Sequence, residues 1–358
     1  MSLRQLPAFL VCAAAFAGLA YAQPTPKTAL LVLSKHDHTL AIVDPASLRV
    51  VAREPVGNDP HEVIASSDGR TAYVSNYGFG AYHTLAVIGL VAQEALPSVD
   101  LGPLRGPHGL FFADGKLWFT AEAAKVIGRY DPATGKVDWI MGTGQNRTHM
   151  LYVFPSLRRI ITTNVSSGTV TILDKTDGPA GMPPPPPPGM RMNAGQPAGA
   201  PRMPGPPGGD WNETVIPVGH GSEGFDVTPN GKEAWVANAG DGTISVIDLN
   251  EKKVTATLAA NAQGANRLKF TPDGKLALVS QLRAPDLVIF DVATHKEVKR
   301  LAIGHGSAGV LVQPDGARAY VSCGPDNYVA VIDLKTLEVV GHIDAGGEPD
   351  GLAWAVQR

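Results

Sequence analysis

The chain has 358 residues, 44% apolar, 18% charged and 6% aromatic, with 40 Gly and 30 Pro. That apolar fraction builds a sizeable core and excludes wholesale disorder. Thirty basic residues against 33 acidic ones exclude nucleic acid as a bulk partner, and low charge with abundant Gly and Pro favours short strands and turns over long helices.

The first element is a leader. Arg4 supplies a positive start, Leu6 to Ala22 runs without a charge, and Ala20-Tyr21-Ala22 places small residues where a signal peptidase reads. Residues 1–22 are predicted to be a cleaved secretory signal, which makes the mature protein exported, periplasmic or extracellular. An uncleaved anchor helix is the alternative. Cys12 leaves with the leader, so Cys323 is the single mature cysteine and no internal disulfide is expected. No later stretch reaches ~18 apolar residues, so no transmembrane segment is expected after cleavage.

The remainder, 23–358, reads as one domain made of a repeat. Asp59 to Asn76, Gly221 to Asn238, Gly264 to Gln281 and Gly306 to Cys323 align with one another. Each is an apolar alternating run, a turn with Asp-Gly or Asn-Gly, and a second apolar run. A third strand follows (TLAVIG, TISVID, DLVIFD, YVAVID), then a weaker fourth. Four short strands per unit make a propeller blade. One position near the start of each first strand marks the period: His61, His108, His149, Glu223, Asn266, Ala308 and Asp350. Their spacings are 47, 41, 74, 43, 42 and 42 residues, and the 74 contains an insertion of 33 residues at 178–210. The fold expected is all-β, a seven-bladed β-propeller. The chain enters at Ala29 on a second strand and ends on a lone first strand, EPDGLAWAV, so the C-terminal strand should close the first blade and leave no open edge.

YVSN (Tyr73 to Asn76), WVAN (Trp235 to Asn238), YVSC (Tyr320 to Cys323) and the VID of the third strands resemble the YVTN-repeat β-propellers, the YncE-like and lactonase-like group. The resemblance implies the fold. Many such proteins have no assigned reaction, whereas lactonase-like relatives hold a channel-mouth metal with acidic and amide residues. Glu223, Asn266 and Asp350 resemble that set; the three histidines depart from it. Blades three and four carry looser versions, WFTA and ITTN, and Pro155-Ser156 stands where the other turns have Asp-Gly.

Propeller topology places the starts of first strands and the loops after second strands on one face, the top. Eight of the ten histidines fall there: His61, His108, His149, His220, His305, His36, His38 and His83. The metal reading takes His61, His108 and His149 from adjacent blades, one of His36, His38 or His83 beside them, and Glu223 and Asp350 as carboxylates. Imidazole with carboxylate suits zinc, iron or copper better than calcium. The alternative reading is a water-filled mouth lined by hydrogen-bonded polar residues. A second ring, at the ends of second strands, contains Lys35, Asn76, Asn164 and Asn238. With Asn266 and Arg267 these are ligand-binding candidates, against a turn-forming role for the asparagines.

The insertion at 178–210 holds 12 of the 30 prolines, 8 glycines and four methionines, so no core is expected from it. It offers polyproline to a proline-reading partner, or is a tolerated loop expansion. No catalytic-triad spacing, phosphate loop or dinucleotide fingerprint occurs. The function expected is an exported, monomeric binding module that presents the top-face mouth to a metal, small molecule or protein. The alternative is a metal-dependent hydrolase of lactonase type, or an oxidoreductase, using the same site.

Overall fold

A computed structural model describes residues 23–176 and 210–358; the predicted leader and all of the predicted insertion except Asp210 lie outside them. The described chain forms seven four-stranded antiparallel sheets. Blade 1 is closed as expected: the C-terminal strand Pro349–Val356 is innermost and pairs with Thr28–Ser34, followed by Thr39–Asp44 and Arg49–Pro55. Blades 2 to 7 each run outward in chain order. Their inner strands are Pro60–Ala65, Pro107–Ala113, Thr148–Val153, Ser222–Val227, Ala265–Phe270 and Ser307–Val312.

Burial follows the position within a blade. Second and third strands are covered on both faces by neighbouring blades, so they read as continuous apolar runs such as Leu40–Val43 and Val329–Ile332. Outer strands meet solvent and alternate, as in Lys136–Gly142. The core lies between blades rather than at the centre. One cluster, for example, joins Leu31 and Ile42 of blade 1 to Val74 and Ile88 of blade 2.

Three repeated devices explain the motif letters. The Asp closing third strands caps the next turn: Asp44, Asp131, Asp248, Asp291 and Asp333 each accept backbone N–H groups two or three residues on. The turn between first and second strands needs a positive φ, supplied by Gly69, Gly231, Gly274 and Gly316; in blade 4 Leu157 adopts it instead, at φ 56. The hydroxyl in the second strand joins blades. Thr120 accepts the Gly109 N–H at 2.9 Å and donates to the His149 carbonyl of the next blade. Thr163, Ser280 and Ser322 donate in the same way to the carbonyls of Glu223, Ala308 and Asp350.

The same place in every inner strand is irregular. Register slips between Pro60 and Val63, Pro107 and Leu110, Thr148 and Leu151, Ser222 and Phe225, Ala265 and Leu268, and Ser307 and Val310, with a matching slip in blade 1. Such a bulge re-aims a side chain. Here it turns His61, His108, His149, Glu223, Asn266, Ala308 and Asp350 toward the channel, where all seven line one cavity.

Candidate metal centre at the channel mouth

That cavity encloses about 350 Å³. Lys35 and Leu282, from the loops after second strands, share it with the seven inner-strand residues, which confirms the face assigned from topology. Blades 2 to 5 give it a polar wall. Across the axis, Arg267 of blade 6 pairs with Glu62 of blade 2, a contact only a long side chain can span.

The three histidines predicted to meet do so. The rings of His61 and His108 lie 4.9 Å apart, and those of His108 and His149 3.9 Å apart. His108 and His149 are each 2% exposed. Tyr77 packs edge-on against both His61 and His108. His108, His149 and Glu122 form the tight group: one ligand atom from each lies within 4.8 Å of the others.

Glu122 was missed from the sequence. It follows Ala121 in a second-to-third-strand loop, so the face rule applied to carboxylates as well as histidines would have found it. Its carboxylate meets His149 Nδ1 and accepts from the Tyr77 hydroxyl at 2.5 Å, and Arg147 Nε lies at 3.3 Å. On the other side of the ring, His149 Nε2 is 2.7 Å from Glu223 Oε2, but it is buried and not aligned as a hydrogen bond. His108 Nδ1 is buried with no partner among the described residues.

The electrostatics divide the imidazoles. Burial, with His149, His61, Arg267 and Arg147 nearby, holds His108 well below the usual histidine range, so it is neutral. Burial also disfavours charge on His149, but Glu223 and Glu122 outweigh it and raise the pKa. His61 is likewise raised, by Asp350 and Asp59 against burial and Lys35. Burial opposes ionisation of Glu223, yet His149, Arg267 and Arg147 hold it at about 2. Asp350 sits at about 2 for the same reason, through His61, Lys35 and Arg267.

Charges around the cavity do not cancel. The carboxylates of Asp59, Glu62, Glu122, Glu223 and Asp350 contact the imidazoles or face three permanent cations, Lys35, Arg147 and Arg267. Two positive charges are wanting. Two imidazolium ions supply them, and so does one divalent ion with neutral imidazoles. Two imidazoles with one carboxylate suit zinc or iron, and the buried free nitrogen of His108 is a donor already stripped of water. Tetrahedral zinc needs ligand atoms about 3.3 Å apart, so the group must draw in by up to about 1.5 Å.

The remaining predicted residues divide. Lys35, Asn266 and Arg267 line the cavity. Lys35 Nζ donates to His61 Nε2 at 2.8 Å, and Arg267 reaches Asn266 Oδ1 at 3.3 Å. Asn76, Asn164 and Asn238 lie outside the lining. Asn76 donates to the carbonyls of Val56 and Asn58 and so ties the connection from blade 1 to blade 2, whereas Asn164 and Asn238 donate to hydroxyls of the following strand and tie the second-to-third-strand loops. His36, His38 and His83 do not join the centre. His36 is exposed beside Asp37, His38 is exposed at φ 55 in a turn, and His83 bonds Asp100 at 2.8 Å.

Comparison with known proteins agrees with this architecture. The profile of the YNCE-like β-propellers matches residues 209–318. No curated protein matches significantly. Among solved structures, a functionally unknown protein from Desulfotomaculum acetoxidans is 14% identical, with a TM-score of 0.68 over 92% of this chain and 99% of that one. A candidate 6-phosphogluconolactonase from Bacteroides uniformis is 14% identical, with a TM-score of 0.69 over 92% of this chain and 100% of the other. Hydrazine synthase of Kuenenia stuttgartiensis is 14% identical, with a TM-score of 0.63 over 82% and 89%. At such identities the likeness concerns fold alone. The chain is a seven-bladed β-propeller, and its residues 209–318 resemble the YNCE-like β-propellers.

Proposed function

We propose that the protein is an exported binding propeller whose top-face mouth holds one divalent transition metal, zinc, iron or copper, on His108, His149 and Glu122. Glu223 and His61 stand beside the ion. The observation that carries this reading is the buried, unpartnered Nδ1 of His108 next to a second imidazole and a carboxylate. A polar atom removed from water without a partner costs stability unless something binds it. Export rests on the leader-like residues 1–22, and the proline-rich insertion at 178–210 is proposed to meet a proline-reading partner. The protein is proposed to act as a monomer.

A second reading, a metal-dependent hydrolase, draws on His61. It is 14% exposed, backed by Asp350 at 3.3 Å, and its ring lies 4.9 Å from that of His108. A general base beside a metal-bound water has that placement once Lys35 releases His61 Nε2.

Metal analysis of the purified chain tests the first reading. About one equivalent of metal is expected in the wild type, with affinity lowered at least a hundredfold in His108→Ala and in Glu122→Gln. Protein without stoichiometric metal, and without a thermal shift on adding zinc, iron or copper, would refute it. Metal without ester or lactone hydrolysis would leave the binding role and remove the hydrolase.

A further inference from the structure

One stretch of the cavity wall is apolar. Blades 2 to 5 present His61, His108, Arg147, His149 and Glu223, whereas blades 6, 7 and 1 set Leu282, Ala308, Pro325 and Pro349 among Lys35, Asn266, Arg267, Glu348 and Asp350. Leu282 is 45% exposed although it stands at the rim of a concave site. An apolar side chain left to water at such a mouth gains free energy only when something apolar covers it.

The charge on the polar wall limits what that something carries. With the proposed divalent ion in place, the five carboxylates are balanced by Lys35, Arg147, Arg267 and the metal. An anionic head would leave an uncompensated negative charge in a buried site, and the exposed Glu348 at the rim would repel it on approach. A cationic head would meet the metal. A volume of about 350 Å³ is at the small end for ligand sites.

Resting on the metal reading above, we infer that the cavity takes a small amphipathic molecule. Its uncharged oxygen or nitrogen donor reaches the metal, and its apolar body lies along Leu282, Ala308, Pro325 and Pro349. The polar head fixes orientation through the ion, and the apolar wall selects for chain length.

Calorimetric titration of the metal-loaded full chain with hexanamide, acetamide and hexanoate tests this, with metal content measured on the same sample. Hexanamide is expected to bind at least tenfold more tightly than acetamide, because four fewer methylenes reach the apolar wall. It is also expected to bind at least tenfold more tightly than hexanoate. Leu282→Asp should weaken hexanamide at least tenfold at unchanged metal content, and Val298→Asp, on an outer strand, should change nothing. Metal-loaded protein that fails to bind hexanamide, that prefers hexanoate, or that ignores Leu282→Asp overturns this inference and leaves the metal reading standing. Protein that takes up no metal overturns both.

Discussion

Gly109 links the fold to the site, and one methyl group there tests the link. It follows His108 at the bulge of blade 3, in a backbone conformation open to any residue. A Cβ at this position would lie 2.4 Å from the His149 carbonyl oxygen and 2.9 Å from Met150 Cα. Real Cβ atoms essentially never approach closer than 3.0 Å, so blade 4 must retreat by at least about 0.6 Å. The obstacle is backbone held by Thr120, not a side-chain end that can swing away. Overpacking of this kind costs about 1–3 kcal/mol, which in a domain of this size lowers the unfolding midpoint by about 1.5–5 °C. The displaced strand also carries His149, so metal affinity should fall about tenfold, since such sites tolerate roughly 0.5 Å of misplacement. Gly142→Ala is the control, because a Cβ there meets nothing within 4 Å. Calorimetric melts with metal titration decide the matter. If Gly109→Ala melts within about 1 °C of Gly142→Ala and keeps wild-type metal affinity, the argument that blade packing positions the histidines is wrong.

Thr120→Val keeps the shape but strands the Gly109 N–H and the His149 carbonyl; a loss of about 2–4 kcal/mol is expected by chemical denaturation. Burial, with Asp326 nearby, pushes the Cys323 thiol up to about 12. The folded state therefore retains the thiol proton, and this contribution to stability is full below the ordinary thiol pKa of about 8.5 and lost as pH rises toward 12. Cys323→Ala should flatten the alkaline fall in the unfolding midpoint, and a thiol reagent at neutral pH should label Cys323 only after unfolding. Joining Thr176 to Asp210 by a short Gly-Ser linker should leave the melting midpoint unchanged, because those two residues already bond each other through backbone and hydroxyl. Deleting residues 348–358 should abolish cooperative unfolding, since it removes the innermost strand of blade 1 and with it Asp350.

The fold was legible because it is written seven times. Each copy need carry only a faint signal for the period to emerge, and the period then fixed the cavity-lining position in all seven blades. Blade 4 was hard to read because Leu157 takes the turn conformation that glycine supplies in blades 2, 5, 6 and 7. The site was legible only as far as it follows the repeat. Glu122 stands directly after the end of a second strand, and the second ring read from the sequence took the residue before it, Ala121, in that blade. His36, His38 and His83 were placed on the correct face, but a face is wider than a metal centre, and sequence position carries no radial distance. Lys35 does not share the asparagines' position: Ser34 pairs with Pro349 as Asn76 pairs with Pro60, so Lys35 stands one residue further on, level with Leu282, and both line the cavity.

Ring geometry also explains why the histidines are consecutive. Neighbouring blades bring equivalent side chains to ring separations of 3.9 and 4.9 Å, close enough to converge on a shared ion. Among the described residues, the extended Arg267–Glu62 pair bridges opposite blades. A seven-fold ring therefore builds a small coordination centre from two or three adjacent blades and leaves the far side for other work. The sequence at the ring position follows that division: three imidazoles and Glu223 in succession, then the amide of Asn266, the methyl of Ala308, and Asp350, which supports His61. The metal centre thus occupies the blades that carry imidazole, and the apolar stretch lies among polar residues on the other side of the ring.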